Sequence, residues 1–185
     1  MPPNSSRQLI YVTFDTPLGP VGITASANGL LAITLPSQPV QKAQRQPPHQ
    51  FTGLIERLQA YFNGRKVAFP DKLDLSAATP FQAKVWEITR LIPYGETRSY
   101  RWVADQMGKP GAVRAVGQAL ARNPLPVIIP CHRVIGSNGT LGGFSGGLEM
   151  KQKLLRLEHA TIPAKRVRKQ PVPSSPFYKG RARGI

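Results

Sequence analysis

Cysteine is nearly absent from this chain: Cys131 is the only one in 185 residues. An internal disulfide is therefore excluded, and no Cys/His cluster has the spacing of a structural zinc site. A reducing interior is the expected compartment. Long apolar runs are also missing, since no stretch approaches the roughly 18 residues of a membrane span. The N-terminus, MPPNSSRQLIYVTF, lacks the basic-then-apolar order of a secretory signal. The expectation is a soluble, unexported protein without membrane contact. Acidic residues are the third scarcity, 9 Asp+Glu against 25 Lys+Arg, for a net charge of +16. An excess of that size points to a polyanionic partner such as nucleic acid.

The charge is unevenly spread. Residues 161–185 carry 7 basic and no acidic side chains, nearly half of the excess. Two readings stay open for this tail: a solvated, disordered end, or a flexible arm that binds phosphate without sequence preference.

From 9 to 36, the runs LIYVTF, VGITAS and LLAITLP alternate with turn-forming TPLGP and ANG. This pattern predicts antiparallel strands with a hairpin at Asn28-Gly29. A Gln/Pro-rich stretch over 36–48 reads as a linker or long loop. Beyond it, Phe51, Leu54, Ile55, Leu58 and Phe62 share one helical face, and Asn63-Gly64 supplies a stop. A boundary follows at 75–80, where Thr79 and Pro80 open a helix carried by Phe81, Val85, Ile88 and Ile92. Ser99 caps a short helix to about Met107, Gly108-Lys109-Pro110-Gly111 makes the turn, and residues 112–121 form a second helix. This is a helix-turn-helix candidate. On the second helix Val113, Val116, Gly117 and Leu120 cluster on one side; Arg114, Ala115, Gln118, Ala119 and Arg122 form an acid-free outer face of small residues and arginines. Helical hairpins of this kind are common, so the pattern alone does not separate a DNA-reading pair from a solvated one.

Cys131 follows the apolar run 127–129, which suits a buried strand or extended segment, and Pro130 bars a helix there. A lone cysteine in such a place is more often inert core than nucleophile. Against that tendency, His132 and Arg133 follow directly, and a neighbouring cation favours the reactive thiolate. A histidine adjacent in sequence need not face the thiol; a bridging water is an alternative, and the imidazole would need an orienting carboxylate. Only Glu149 and Glu158 follow residue 106. They lie on a predicted helix with the stripe Met150, Leu154 and Leu157, with Glu158 beside its end and Glu149 in the first turn, where the helix dipole accounts for it. Between thiol and helix, GSNGTLGGFSGG holds six glycines in twelve residues. Such a loop lets backbone approach a ligand closely, and neither phosphate-binding glycine pattern is present, so a planar substrate beside Phe144 fits better.

Four separated motifs, RAVGQAL at 114–120, NPLP at 123–126, IPCHRV at 129–134 and GGFSGGLEMK at 142–151, resemble the O6-alkylguanine-DNA alkyltransferases, the methylated-DNA-protein-cysteine methyltransferases. The resemblance runs from about Phe81 to Glu158; the first 75 residues fit the family's variable N-terminal domain in general character. It implies an α+β fold: a small N-terminal α/β domain with an antiparallel sheet (1–75, ribonuclease H-like), a mainly helical C-terminal domain (76–160) carrying the helix-turn-helix and the cysteine, and the basic tail (161–185). It further implies direct-reversal DNA repair. The protein would bind double-stranded DNA through the minor groove, flip out an O6-alkylguanine, and transfer the alkyl group irreversibly to Cys131, once per molecule.

In that reading Cys131, His132 and Glu158 form the catalytic relay through a water, with Tyr100 and Asn123 in supporting roles. Arg114 fills the space the base leaves, and Tyr100, Arg101, Lys109, Ala112, Gln118 and Ser137 complete the DNA contacts. Pro126, Val134, Leu141, Phe144 and Ser145 shape the guanine pocket. Phe144 stands where many relatives have tyrosine, which removes a hydroxyl near the departing O6. No cofactor is implied, and the Cys/His zinc site of some relatives' N-terminal domains has no counterpart here, so no metal is expected. The implied state is a monomer, with cooperative assembly on DNA left open, in the cytoplasm or, for a eukaryotic source, the nucleus. Two competing readings are a lesion-binding relative without transfer, which would have replaced the cysteine, and a Cys-His hydrolase with no DNA partner, against which the arginine-bearing helix and the basic balance argue.

Overall fold

The structure, a computed structural model, describes residues 9–39 and 48–161. Most of the Gln/Pro-rich stretch and nearly all of the basic tail lie outside the described residues.

Three strands, β1 (Ile10–Thr16), β2 (Gly19–Ser26) and β3 (Gly29–Thr34), pair antiparallel in the order β1-β2-β3. In each, β-branched residues at alternate positions turn inward: Val12 opposes Ile23, Ile23 opposes Ile33, and all three are buried. The second hairpin turns on Ala27 and Asn28, one residue earlier than expected, and Gly29 opens β3 at φ +143°. A Cβ at Gly29 would stand 2.5 Å from the Lys72 carbonyl oxygen. That closeness has a reason: residues 72–74 run beside β3, with Leu30 N–H donating to Lys72 O at 2.9 Å and Asp74 N–H donating to Leu30 O at 2.8 Å. Helix α1 (Thr52–Phe62) covers the sheet through Leu54, Ile55 and Leu58. Tyr61, absent from the predicted stripe, is buried as deeply as Phe62, at 1% exposure.

Helix α2 (Pro80–Arg90) begins in a capping box: Gln82 N–H donates to Thr79 Oγ at 3.2 Å, and Thr79 N–H donates to Gln82 Oε1 at 2.9 Å. Such a cap contributes about 1 kcal/mol. Its buried residues include Val85, Trp86 and Ile88. Two-residue β4 (Arg98–Ser99) leads into α3 (Tyr100–Gln106), whose first turn Ser99 caps through Trp102 N–H at 3.0 Å. After the Gly108 turn and one 3-10 turn (Pro110–Ala112), α4 (Val113–Ala121) packs against both α2 and α3. On α4 the expected outer face is corrected at Ala119, which is 3% exposed because Trp86 packs over it and donates from Nε1 to its carbonyl at 2.9 Å. Val113 and Gly117, expected inside, are only half-buried.

The apolar run before Cys131 is not a strand. Residues 124–129 form a compact turn with Ile129 N–H returning to Leu125 O at 2.8 Å, and Val127 sits at φ +76°. A buried β-branched residue with positive φ is strained, and persists only where its surroundings over-determine it. Asn123 supplies that constraint: its Oδ1 accepts from Leu125 N–H at 2.9 Å and its Nδ2 donates to Ile129 O at 2.8 Å. Cys131, His132 and Arg133 then form a single 3-10 turn leading into β5 (Val134–Ile135), which pairs parallel with β4. This pairing brings the start of α3, with Tyr100, alongside the cysteine segment. The N-terminal sheet also touches it, since Ile33 N–H donates to Pro124 O at 2.8 Å.

Helix α5 (Leu148–Leu157) buries Met150, Lys151, Leu154 and Leu155, while Leu157 is half-buried. The apolar stripe is therefore rotated by about one position from the expected one, and Lys151 lies seven residues from Glu158, two turns apart on the same face. Among the described residues no helix is long and apolar enough to cross a membrane.

Candidate active site and nucleic-acid interface

Cys131 is 5% exposed and its Sγ accepts from Asn123 Nδ2 at 3.0 Å. Burial pushes the thiol pKa up, and the Asn123 hydrogen bond, the Lys151 charge and the backbone amides of Cys131 and His132 pull against it. Asn123 therefore does two things with one amide group: it holds the strained turn and donates to the sulfur.

His132 is fully buried, with Nε2 2.9 Å from Glu158 Oε1. Glu158 follows the last turn of α5 and gathers donors from three parts of the fold: the 3-10 turn, the loop after α2 and α1. Arg133 clamps it with Nε on Oε2 and Nη2 on Oε1, both at 2.8 Å; Gly95 N–H reaches Oε2 at 3.1 Å; Tyr61 Oη–H donates to Oε1 at 2.7 Å. Burial alone would raise this carboxyl's pKa, but the hydrogen bonds from His132 and Arg133, with their charges, hold it far below the usual carboxylate range. An ionised Glu158 surrounded by donors requires Nε2 of His132 to carry the hydrogen. Nδ1 is then the basic nitrogen, and it has no hydrogen-bond partner among the described residues. Burial lowers the His132 pKa, opposed by Glu158 and reinforced by the Arg133 and Lys151 charges, so the resting imidazole is neutral at pH 7.

Lys151 is the second buried cation. Its ammonium donates to the carbonyl oxygens of Val134 at 2.7 Å and of Leu141, and more distantly to Gly143 at 3.5 Å. It ties the glycine-rich loop to β5 and also lies 5.9 Å from the Tyr100 ring centroid. Burial lowers its pKa to about 8, against the favourable Cys131 charge.

Beside Tyr100 an open cavity of about 650 Å³ lies between α4 and the loop. Tyr100, Arg114, Gln118, Phe144 and Ser145 line it together with Val113, Gly117, Ala121, Gly142 and Gly143. Gly142 at φ +66° lets the loop press on Tyr100: a Cβ there would stand 2.5 Å from the Tyr100 hydroxyl. The Tyr100 pKa is raised, first by burial and then by the Cys131 charge.

The expected residues divide accordingly. Cys131, His132, Glu158 and Asn123 meet in the interior, and Tyr100, Arg114, Gln118, Phe144 and Ser145 meet around the cavity. Pro126 and Val134 are buried and Leu141 is half-buried, and none of the three lines that cavity; Val134 and Leu141 enter through their carbonyls on Lys151. Arg101, Lys109 and Ser137 are exposed, and Ala112 ends the 3-10 turn before α4. Lys109 reaches back over the Phe81 ring, 5.9 Å from its centroid.

Sequence reasoning missed Tyr61 and Lys151 as site residues and gave Arg133 only a charge. For Lys151 a signal existed, a cation three and four residues before Leu154 and Leu155 on an inward face. Tyr61, three residues after Leu58, borders the α1 stripe without being read as part of it, and nothing local ties its hydroxyl to residues about seventy and a hundred positions away.

Residues 9–75 match the 6-O-methylguanine DNA methyltransferase ribonuclease-like domain, and residues 80–160 match the DNA-binding domain of the same family. The methylated-DNA--protein-cysteine methyltransferase of Mycobacterium tuberculosis is 43% identical over 157 residues, 83% of this chain and 94% of that protein. The constitutive one of Bacillus subtilis is 40% identical over 164 residues, 84% of this chain and 98% of that protein. The crystal structure of Mycobacterium tuberculosis OGT in complex with DNA superposes with a TM-score of 0.72 at 44% identity, covering 80% of this chain and 92% of that one. With both of its domain models matched in order and relatives 40–43% identical along nearly their whole length, this chain belongs to the O6-methylguanine DNA methyltransferase family.

Proposed function

We propose that this protein repairs DNA by moving the alkyl group of O6-alkylguanine onto Cys131. What supports the reading is the pair of hydrogen bonds Asn123–Cys131 and His132–Glu158, with Lys151, whose charge acts on Cys131, bonded to the loop that closes the open cavity of Tyr100 and Arg114.

The chemistry follows from the geometry. Glu158 fixes the Nε2–H tautomer of His132, leaving Nδ1 to take the thiol proton through a water. Asn123 Nδ2, 3.0 Å from Sγ, stabilises the thiolate that forms. The sulfur attacks the alkyl carbon, the carbon–O6 bond breaks with its electron pair, and guanine leaves and is reprotonated. Cys131 ends as a thioether, and with no second cysteine to accept the group, each molecule reacts once. Duplex DNA lies with its minor groove on α4, whose small residues permit close approach. The lesion turns out into the cavity at a cost of a few kcal/mol, least where pairing is already weakened. Arg114, exposed at the cavity edge, enters the stack in its place, with Tyr100 guiding the nucleotide; the protein acts as a monomer inside the cell.

The direct test is to incubate the protein with duplex DNA containing O6-methylguanine and weigh it intact. One methyl group per chain, mapped to Cys131, is the expected result; no mass gain, or turnover beyond one equivalent, overturns the reading.

Two substitutions separate the parts. Arg114→Ala removes the group that replaces the flipped base, so reaction with methylated duplex falls about tenfold or more while reaction with free O6-benzylguanine, which needs no flipping, is unchanged. Equal losses on both substrates count against that role. Phe144→Tyr restores a hydroxyl at the cavity wall at nearly constant volume. The ratio of methyl to benzyl rates should change by about 3- to 10-fold, the size of one modest hydrogen bond; second-order rates identical on both substrates would deny Phe144 a part in selectivity.

A further inference from the structure

The acid-histidine pair belongs to the C-terminal half of the chain, yet one donor on its carboxylate comes from elsewhere. Tyr61, on α1 of the N-terminal unit, is 1% exposed and places its hydroxyl 2.7 Å from Glu158 Oε1, the same oxygen that faces His132 Nε2. The hydroxyl oxygen is also 3.3 Å from Nε2 itself. Three aromatic rings fix its position edge-on: Phe62, Phe69 and Tyr94, with centroids 5.4, 6.2 and 6.2 Å away. Such a site is more than apolar packing, because a buried tyrosine hydroxyl aimed at an ionised carboxylate makes one of the stronger hydrogen bonds in a fold.

We infer that Tyr61 is a positioning residue of the alkyl-transfer reaction: by donating to Glu158 Oε1 it draws charge away from the contact with His132 and keeps the imidazole a neutral proton acceptor. The inference rests on the alkyl-transfer reading above.

Negative charge on Glu158 favours the imidazolium form of His132, whereas burial and the Arg133 and Lys151 cations disfavour it. A third donor on Oε1, beside Nε2 and Arg133 Nη2, weakens the carboxylate's pull on the Nε2 hydrogen. The hydroxyl's lone pairs act oppositely on Nε2, but at 3.3 Å against 2.7 Å the bond to Glu158 is the stronger effect. Burial and the Glu158 charge both raise the Tyr61 pKa well above its ordinary value, so the hydroxyl stays a donor throughout the working pH range. The groups facing this cluster are Tyr61 from α1, Tyr94 from the loop after α2, Lys151 and Glu158 from α5 and its end, and Arg133 and Cys131 from the 3-10 turn. Tyr94 points its own hydroxyl elsewhere, to the Gly64 and Leu157 carbonyls. Of these only Tyr61 is a neutral donor to Oε1, and only it comes from the N-terminal unit.

Tyr61→Phe keeps the ring and its packing and removes the one hydroxyl. The experiment is the pH dependence of the second-order rate with free O6-benzylguanine, read by intact mass, for the full-length wild type and the variant. In parallel, nitrogen-15 NMR of labelled histidine follows the His132 titration, assigned against a His132→Gln protein. The acid limb of the variant should move up by about half to one pH unit, so that its rate below that limb falls about three- to tenfold and recovers toward neutral pH. The His132 titration should move the same way. A variant whose acid limb and His132 titration match the wild type, whatever its overall rate or melting temperature, reduces Tyr61 to packing and overturns the inference, as does a shift to lower pH. A wild type that takes no benzyl group sinks the alkyl-transfer reading instead; the NMR titration then still reports whether Tyr61 governs His132.

Discussion

Cys131→Ser should bind methylated duplex as the wild type does and transfer nothing, a loss of at least about a thousandfold in rate. The sulfur is the reason. A thiol ionises near neutral pH with modest help, whereas a hydroxyl does not; here burial opposes ionisation and outweighs Asn123, Lys151 and two backbone amides, which favour it. The resting group is therefore the thiol, which loses its proton to His132 on attack, and a serine hydroxyl, far less acidic, falls well short. The fold should tolerate the change, because serine is smaller and Asn123 Nδ2 remains as its partner. DNA affinity, measured by gel shift on alkylated and plain duplex, should stay within about threefold, since Arg114 and the α4 face are untouched. Measurable methyl transfer by the serine protein would move the acceptor away from residue 131.

Glu158→Gln should lose both reaction and stability. Five donors converge on this carboxylate, from Arg133 twice, His132, Tyr61 and Gly95. An amide brings two hydrogens of its own into that ring, so at least one donor loses its acceptor, and the Arg133 guanidinium, largely buried, is left without its counter-charge. Breaking a buried ion pair from one side costs about 3–5 kcal/mol. The reaction with O6-benzylguanine should fall about a hundredfold or more, because nothing then holds the His132 tautomer.

The pH dependence distinguishes this from general damage. The Glu158 pKa is depressed in the folded state, so its stabilising contribution is complete above the unfolded carboxylate value, about 4.3, and is lost as pH falls through the lower folded value. Denaturant melts at stepped pH should show the gap between wild type and variant narrowing below about pH 4. His132, whose folded pKa is also lowered, adds a decline that starts near pH 6.5, because the unfolded chain takes up that proton first. A gap that stays constant to pH 3 would mean that Glu158 is not the ionised centre of the cluster.

Which residues could be read in advance follows from how local their physics is. The α2 cap was legible because Thr79, Pro80 and Gln82 lie within one turn and satisfy each other's amides. The three strands were legible from period-two alternation, and even there the hairpin moved by one residue, because Gly29 is needed where residues 72–74 crowd β3. The run before Cys131 misled for the opposite reason. Val127, Ile128 and Ile129 have strand propensity, and a turn stabilised by Asn123 overrides it, placing Val127 at positive φ. Ala119 misled because a small residue on a helix gives no sign of the tryptophan that will cover it. On α5, Lys151 interrupts the apolar pattern, and only the ring of carbonyls from Val134, Leu141 and Gly143 explains why a cation lies inward.

The amino-acid sequence by itself determined the lone thiol with its His132 and Arg133 neighbours, the arginine-bearing helix, the order of elements and the family resemblance, since single residue types and short spacings carry them. The tertiary structure alone decided what surrounds the thiol. It brought Asn123 onto the sulfur, Arg133 and Gly95 onto Glu158, and Tyr61 from the far unit onto the same carboxylate oxygen. The physical reason is that the charge state of a buried group depends on every donor and cation within a few ångströms, and those neighbours come from anywhere along the chain.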